Sequence, residues 1–156
     1  MEIVDKYWER KGKEADRWTA KKEDQVVLIQ LIEKYNLKSF FEIGTHTAFT
    51  TELLASHPNI KNWKSIDIHS NHAHFNIIRC SSEGYDPDGE TFDLVFIDGD
   101  HFQVKRDTEL ALKMKPKIIA WHDYNSTDDE VKKIVQRDVN LYKPINVEAN
   151  VAWKKL

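Results

Sequence analysis

The sequence predicts an α/β protein with a mostly parallel sheet and helices on both of its faces. Three observations carry this. Short apolar runs alternate with segments of helical periodicity along most of the chain. The run Phe40-Phe41-Glu42-Ile43 ends at Gly44 and leads straight into a helical pattern, the form of a strand, a tight turn and a helix start. Several of the apolar runs close on a polar residue, Glu42, Asp67, Asp98 or His122-Asp123, and in an open α/β sheet such carboxyl ends line one crevice.

The chain has 156 residues, enough for one domain with a proper core. It reads as a single domain over 1–156, with a lead-in segment at 1–22 and a core at 23–156. Forty per cent of the residues are hydrophobic and 31% are charged, as in ordinary globular proteins. The formal net charge of −3 gives no global attraction to nucleic acid or anionic lipid. Cys80 is the only cysteine, which excludes an internal disulfide and fits a reducing compartment. No apolar run is long enough to span a bilayer, and the first residues lack the form of a signal peptide. These features lead to the expectation of a cytoplasmic protein.

Residues 1–22 are polar and mildly basic, with Tyr7, Trp8 and Trp18 interspersed. They admit two readings: an amphipathic helix whose aromatics pack on the domain, or a flap over a ligand site. Val27, Leu28, Leu31, Ile32 and Tyr35 recur at helical spacing and predict a helix from about Thr19 to Tyr35, stopped by Asn36. A strand follows over Lys38–Ile43. Thr45 and Thr47 are candidate N-caps for the next helix, which carries Phe49, Leu53 and Leu54 inward and runs to Ser56 before His57-Pro58.

Trp63–Ile68 reads as a second strand and Phe75–Arg79 as a short third. Glu83–Gly89 is a loop by composition. Phe92–Ile97 is the clearest strand, followed by a helix over Val104–Met114 and a fifth strand at Ile118–Trp121. Thr127-Asp128-Asp129-Glu130 has the form of a capping box, opening a helix to about Arg137. Ile145–Glu148 and Val151–Lys155 form an antiparallel pair around Ala149-Asn150. Trp63, Trp121, Trp153 and Cys80 are assigned to the core.

Asp67 lies 23 residues after Gly44, a spacing that suits an acid accepting hydrogen bonds from a ribose diol. Glu42-Ile43-Gly44-Thr45, Ile97-Asp98-Gly99-Asp100-His101 and His122-Asp123-Tyr124 resemble the class I S-adenosylmethionine-dependent methyltransferases, in particular a branch with metal-assisted O-methyltransferases. The resemblance runs from about residue 24 onward. It implies a Rossmann-like three-layer sandwich with seven strands, the last of them antiparallel. It also implies that Glu42, Gly44, Thr45, His46, Thr50 and Asp98 surround the methionine end of S-adenosyl-L-methionine. Asp67 then holds the ribose, Ile68 lies against the adenine, and Ser81 and Ser82 take the place of an adenine-contacting acid and its neighbour. The pattern is broken at Ala48, Ser81 and Lys117, where the family has glycine, an acid and a glycine pair.

Asp98, His122 and Asp123 are candidate ligands for Mg²⁺ or Mn²⁺; the alternative is that they are a turn cap, a packed histidine and a loop cap. A histidine side chain has an unperturbed pKa near neutrality, so His101 is the candidate proton acceptor, with Asp98 and Asp123 as its catalytic partners. His69, His72 and His74 read as a solvated loop rather than a zinc site. The leading expectation is methyl transfer to an oxygen of an unidentified acceptor. The alternatives are a non-catalytic module that binds the cofactor or a nucleoside, and a nucleotide-dependent oxidoreductase. The oxidoreductase is disfavoured by the missing Gly-x-Gly-x-x-Gly turn. With no evident lid, the acceptor is large or the pocket is completed by a second subunit in a homodimer; nucleic acid and membrane are not indicated.

Overall fold

A computed structural model describes residues 2–69, 73–127, 129–138 and 145–156. The helices are α1 (Glu2–Lys11), α2 (Lys22–Lys34), α3 (Phe49–Ala55), α4 (Val104–Lys113) and α5 (Glu130–Asp138). The strands are β1 (Ser39–Ile43), β2 (Asn62–Ile66), β3 (Ile77–Ile78), β4 (Leu94–Ile97), β5 (Ile118–Trp121), β6 (Asn146–Glu148) and β7 (Val151–Lys155). They form one seven-stranded sheet in the order β3-β2-β1-β4-β5-β7-β6. Only β7 runs against its neighbours, pairing antiparallel with both β5 and β6. The order reverses between β1 and β4, which lie side by side although β2 and β3 separate them in sequence. That switch point is where an open α/β sheet offers a crevice.

Side-chain alternation along the strands produces two cores. Phe40, Leu94, Phe96, Ile118 and Trp153 face α1, α2 and α3. Phe41, Val95, Ile97, Ile119 and Trp121 face α4 and α5. Successive residues of a strand point to opposite faces, so a strand covered on both sides must be apolar throughout. Phe40 and Phe41 are both fully buried, each contributing about 1.5–3 kcal/mol of burial free energy.

The lead-in segment packs as a helix. Val4 and Tyr7 of α1 are buried, the Tyr7 ring meets Phe49 edge-on at 5.0 Å, and the Tyr7 hydroxyl donates to Glu52. Trp8 Nε1 donates to Gln25 Oε1 at 2.7 Å, tying α1 to α2. The chain then turns at Asp16, whose Oδ1 accepts from the backbone N–H groups of Trp18 and Thr19.

Several expectations need correction. Helix α2 starts at Lys22, so Thr19–Lys21 are left outside it. Neither Thr45 nor Thr47 caps α3: the N-cap is Ala48, in the left-handed region at φ 64° and with no side-chain cap. The third strand shrinks to Ile77–Ile78 at the sheet edge, and Phe75 is 86% exposed. Cys80 and Trp63 are half-buried. Asp128 of the expected capping box and His72 lie outside the described residues.

Ala48 holds a left-handed conformation that costs an L-residue about 1–2 kcal/mol. Ala48→Gly removes the Cβ penalty, against a larger entropy loss on folding. The expected result is a gain of about 0.5–1 kcal/mol in urea denaturation. An unchanged or lower midpoint would show that the buried methyl contributes more than the strain removes.

Candidate functional site

Gly44 follows β1 directly, in a conformation that L-residues avoid, φ +96°. A Cβ at this position would sit 2.2 Å from the carbonyl oxygen of Asp98. The Gly44 N–H donates to Ile66 O, and the Asp98 N–H donates to Ile43 O. The tips of β2, β1 and β4 are thereby held together, with backbone as the wall between two cavities.

The first cavity, about 680 Å³, is lined by Glu42, Thr45, His46, Thr50, His101 and Asp123, among others. The second, about 470 Å³, is lined by Asp67, Ile68, Ser81, Ser82, Arg106 and Asp107, among others. Gly44, His46, Asp98, Gly99 and Asp100 border both. Trp18, Thr19 and Ala20 also line the first cavity, and His46 Nε2 lies 2.7 Å from Asp16 Oδ2. The turn after α1 thus walls the site and is tied to the loop after β1.

Glu42 is 1% exposed at the floor of the first cavity. Its Oε2 accepts from Thr51 Oγ1 and from Ser65 Oγ. Burial pushes its pKa up to about 8; the Asp98 and Asp67 charges add to this, and the Thr51 and Ser65 hydroxyls oppose it. Asp67 is committed to the loop after β1. Its Oδ2 accepts from the Thr45 and His46 N–H groups at 3.0 and 2.8 Å, and its Oδ1 from the His69 N–H. A carboxylate has about four acceptor positions, so capacity for a further donor remains.

Asp98, His122 and Asp123 offer donor atoms that all lie within 4.8 Å of one another. His122 is 8% exposed, and its Nε2 lies 3.1 Å from Asp24 Oδ2. Its Nδ1 lies 2.7 Å from Asp98 Oδ1 and 3.5 Å from Asp123 Oδ2, yet it makes no hydrogen bond. Burial alone would lower the His122 pKa; the surrounding Asp98, Asp123 and Asp24 outweigh it and push it up to about 12. Burial raises Asp123, but the His122 and His101 imidazoles hold it well below the usual carboxylate range. Burial pushes Asp98 up, with the His122 charge opposing. Two carboxylates and a buried, unpartnered imidazole nitrogen form a donor set that fits a divalent cation of the Mg²⁺ or Mn²⁺ kind. His101 Nε2 lies 3.0 Å from Asp123 Oδ2, on the rim of the first cavity.

The structure therefore brings together the residues singled out in the sequence. Glu42, Gly44, Thr45, His46, Thr50, Asp98, His101 and Asp123 line one side of the wall. Asp67, Ile68, Ser81 and Ser82 line the other, and His122 lies beneath. Cys80 lines the second cavity rather than the core. The sequence reasoning missed Asp24, Asn150 and the buried Asp107, whose pKa burial pushes up to about 6. The available signal was an acid on an inward helical face: Asp24 shares its stripe with Val27, Leu28 and Leu31, and Asp107 with Val104, Thr108 and Ala111.

No family model and no curated protein sequence matches the chain. Solved structures do. An O-methyltransferase from Bacillus cereus in complex with S-adenosylhomocysteine (SAH) superposes with a TM-score of 0.65 at 15% identity, covering 100% of this chain and 91% of that one. An O-methyltransferase from Streptomyces achromogenes in complex with S-adenosylmethionine gives 0.63 at 13% identity, covering 100% and 90%. An SAH-bound methyltransferase from Podospora anserina gives 0.69 at 10% identity, covering 99% and 88%. The fold is thus the Rossmann-like seven-stranded fold of the class I methyltransferases. Among the described residues, no helix is long and apolar enough to cross a membrane.

Proposed function

We propose that the chain is an S-adenosylmethionine-dependent methyltransferase acting on an oxygen nucleophile. The observation that carries this is the pair of cavities meeting at the Gly44–Asp98 wall, at the switch point of the sheet. The solved structures of the same fold that hold this cofactor or its product support it. The nucleoside lies in the second cavity, with Asp67 toward the ribose and Ile68, Ser81 and Ser82 toward the adenine. The methionine end lies against Glu42, Gly44, Thr45, His46, Thr50 and Asp98.

Asp98, His122 and Asp123 would hold Mg²⁺ or Mn²⁺, which when bound lowers the pKa of an acceptor hydroxyl. The remaining work falls to the protein. The first cavity aligns the acceptor oxygen with the methyl group. The S–CH₃ bond breaks as the O–CH₃ bond forms, and the sulfonium leaves as neutral SAH. His101 takes the acceptor proton, its ring oriented by Asp123. Asp98, Asp100 and Asp123 line this cavity, which suits a cationic sulfonium and a neutral acceptor.

The first test is thermal. A native-state ligand at 100 times its Kd stabilises by about 2.7 kcal/mol, which raises the Tm of a domain of this size by roughly 5–10 °C. Saturating SAH is expected to produce that shift, and its absence would count against the whole reading. Methyl transfer from S-adenosylmethionine to a panel of catechols and sugars with Mg²⁺ is the second test. Binding without turnover would favour a non-catalytic module.

A further inference from the structure

Asp24 is the buried acid furthest in sequence from the centre it serves. It sits in the first turn of α2, is 1% exposed, and lines neither cavity. Its two oxygens nonetheless reach two parts of the same site. Oδ2 lies 3.1 Å from His122 Nε2. Oδ1 accepts from the Asn150 backbone N–H at 2.8 Å. The Asn150 side chain in turn donates through Nδ2 to Asp123 Oδ1 at 2.7 Å. One carboxylate thus fixes His122 directly and Asp123 through one intermediate.

We propose that Asp24 is the positioning residue of the Asp98–His122–Asp123 centre. Burial of a charged group away from solvent is costly unless the group is paired, and besides the Lys21 backbone N–H at the start of α2, the partners of Asp24 are His122 and the Asn150 backbone that positions Asp123. A carboxylate acceptor on Nε2 keeps the proton at that nitrogen. With Nε2 held by Asp24, the ring presents Nδ1 to the two aspartates, and Nδ1 is the buried ring atom found without a hydrogen-bond partner. Asn150 is held at both ends, and Asp123 keeps one oxygen on the Asn150 amide and the other toward His122 and His101. The inference rests on the divalent cation proposed above, and it assigns the alignment of two of the three donors to a residue outside that set.

The test compares Mn²⁺ binding, by calorimetry and electron paramagnetic resonance, in the wild type and in Asp24→Asn, with SAH affinity as the control for folding. Asp24→Asn is expected to weaken Mn²⁺ by about 10–100-fold while SAH affinity stays within about twofold. Equal Mn²⁺ affinity in the two proteins would overturn the inference alone. A wild type that binds SAH but no Mn²⁺ would overturn the cation and this inference together, leaving the cofactor reading intact. Should Asp24→Asn not fold, the wild type decides by ¹⁵N spectroscopy of its histidines with Zn²⁺ added. The His122 Nδ1 resonance is expected to move to the metal-bound position while Nε2 keeps its proton. A metal on Nε2, or no response from His122, would overturn the proposal.

Discussion

Gly44→Ala is expected to unfold the protein more readily than any other single-methyl addition at the site, and to abolish SAH binding in whatever folds. The added Cβ would lie 2.2 Å from Asp98 O, 2.5 Å from Asp98 C and 2.8 Å from Gly99 N, all backbone atoms that cannot rotate away. Holding an alanine at φ +96° costs about 1–3 kcal/mol. Overpacking a well-filled contact costs about 1–3 kcal/mol more. A domain with about 5–15 kcal/mol of stability loses a large share of its margin. The measurement is urea denaturation with SAH calorimetry alongside. A wild-type midpoint and affinity would mean that β1 and β4 are not held together at their tips as described.

Glu42→Gln should separate stability from function. In the unfolded chain Glu42 titrates at its ordinary 4.5; folded, burial pushes it up to about 8. Between those values the native state holds a proton that the unfolded chain has released, so stability falls as pH rises from about 4.5 to about 8 and stays reduced above. Glutamine cannot ionise and keeps an acceptor for Thr51 and Ser65. The variant is therefore expected to be more stable than the wild type at pH 8.5, by at most about 5 kcal/mol, with the difference vanishing near pH 4.5. Each 1 kcal/mol gained raises Tm by about 2–4 °C.

The same substitution should weaken SAH. A carboxylate facing the cationic amino end of the ligand contributes about 1.5–3 kcal/mol through a charged hydrogen bond, or roughly 10–100-fold in affinity. In the wild type a proton must leave Glu42 first, so affinity should rise from pH 6 to pH 8.5, while the variant's stays flat. A wild type with no such slope would place the ligand's cation away from Glu42.

Where the sequence carried its own periodicity, the fold was legible. β5 and β7 were read at their observed bounds, and β1 and β6 came within one residue, because each is apolar or alternating and closed by turn residues. The third strand was overread. Phe75 and Arg79 fall outside the paired strand, which meets β2 only through Ile77 and Ile78. Local capping rules named Thr45 and Thr47, but tertiary packing buries Ala48 at the helix start and turns the backbone left-handed there.

The acids at the strand ends were legible because topology alone gathers them. Their supports were not. Asp24 reaches His122 across 98 positions and Asn150 across 126, and no local pattern encodes such contacts. Asp67 shows the same limit: its spacing from Gly44 was visible, but its commitment to the Thr45 and His46 amides is a matter of loop geometry.

The β6–β7 hairpin has a consequence for how the protein matures. Residues 2–127 already contain Asp24, Asp98, His101, His122 and Asp123, yet Asp123 lacks its amide clamp until Asn150 arrives with the hairpin. The proposed centre therefore has its full set of supports only once β7 is paired with β5 and β6.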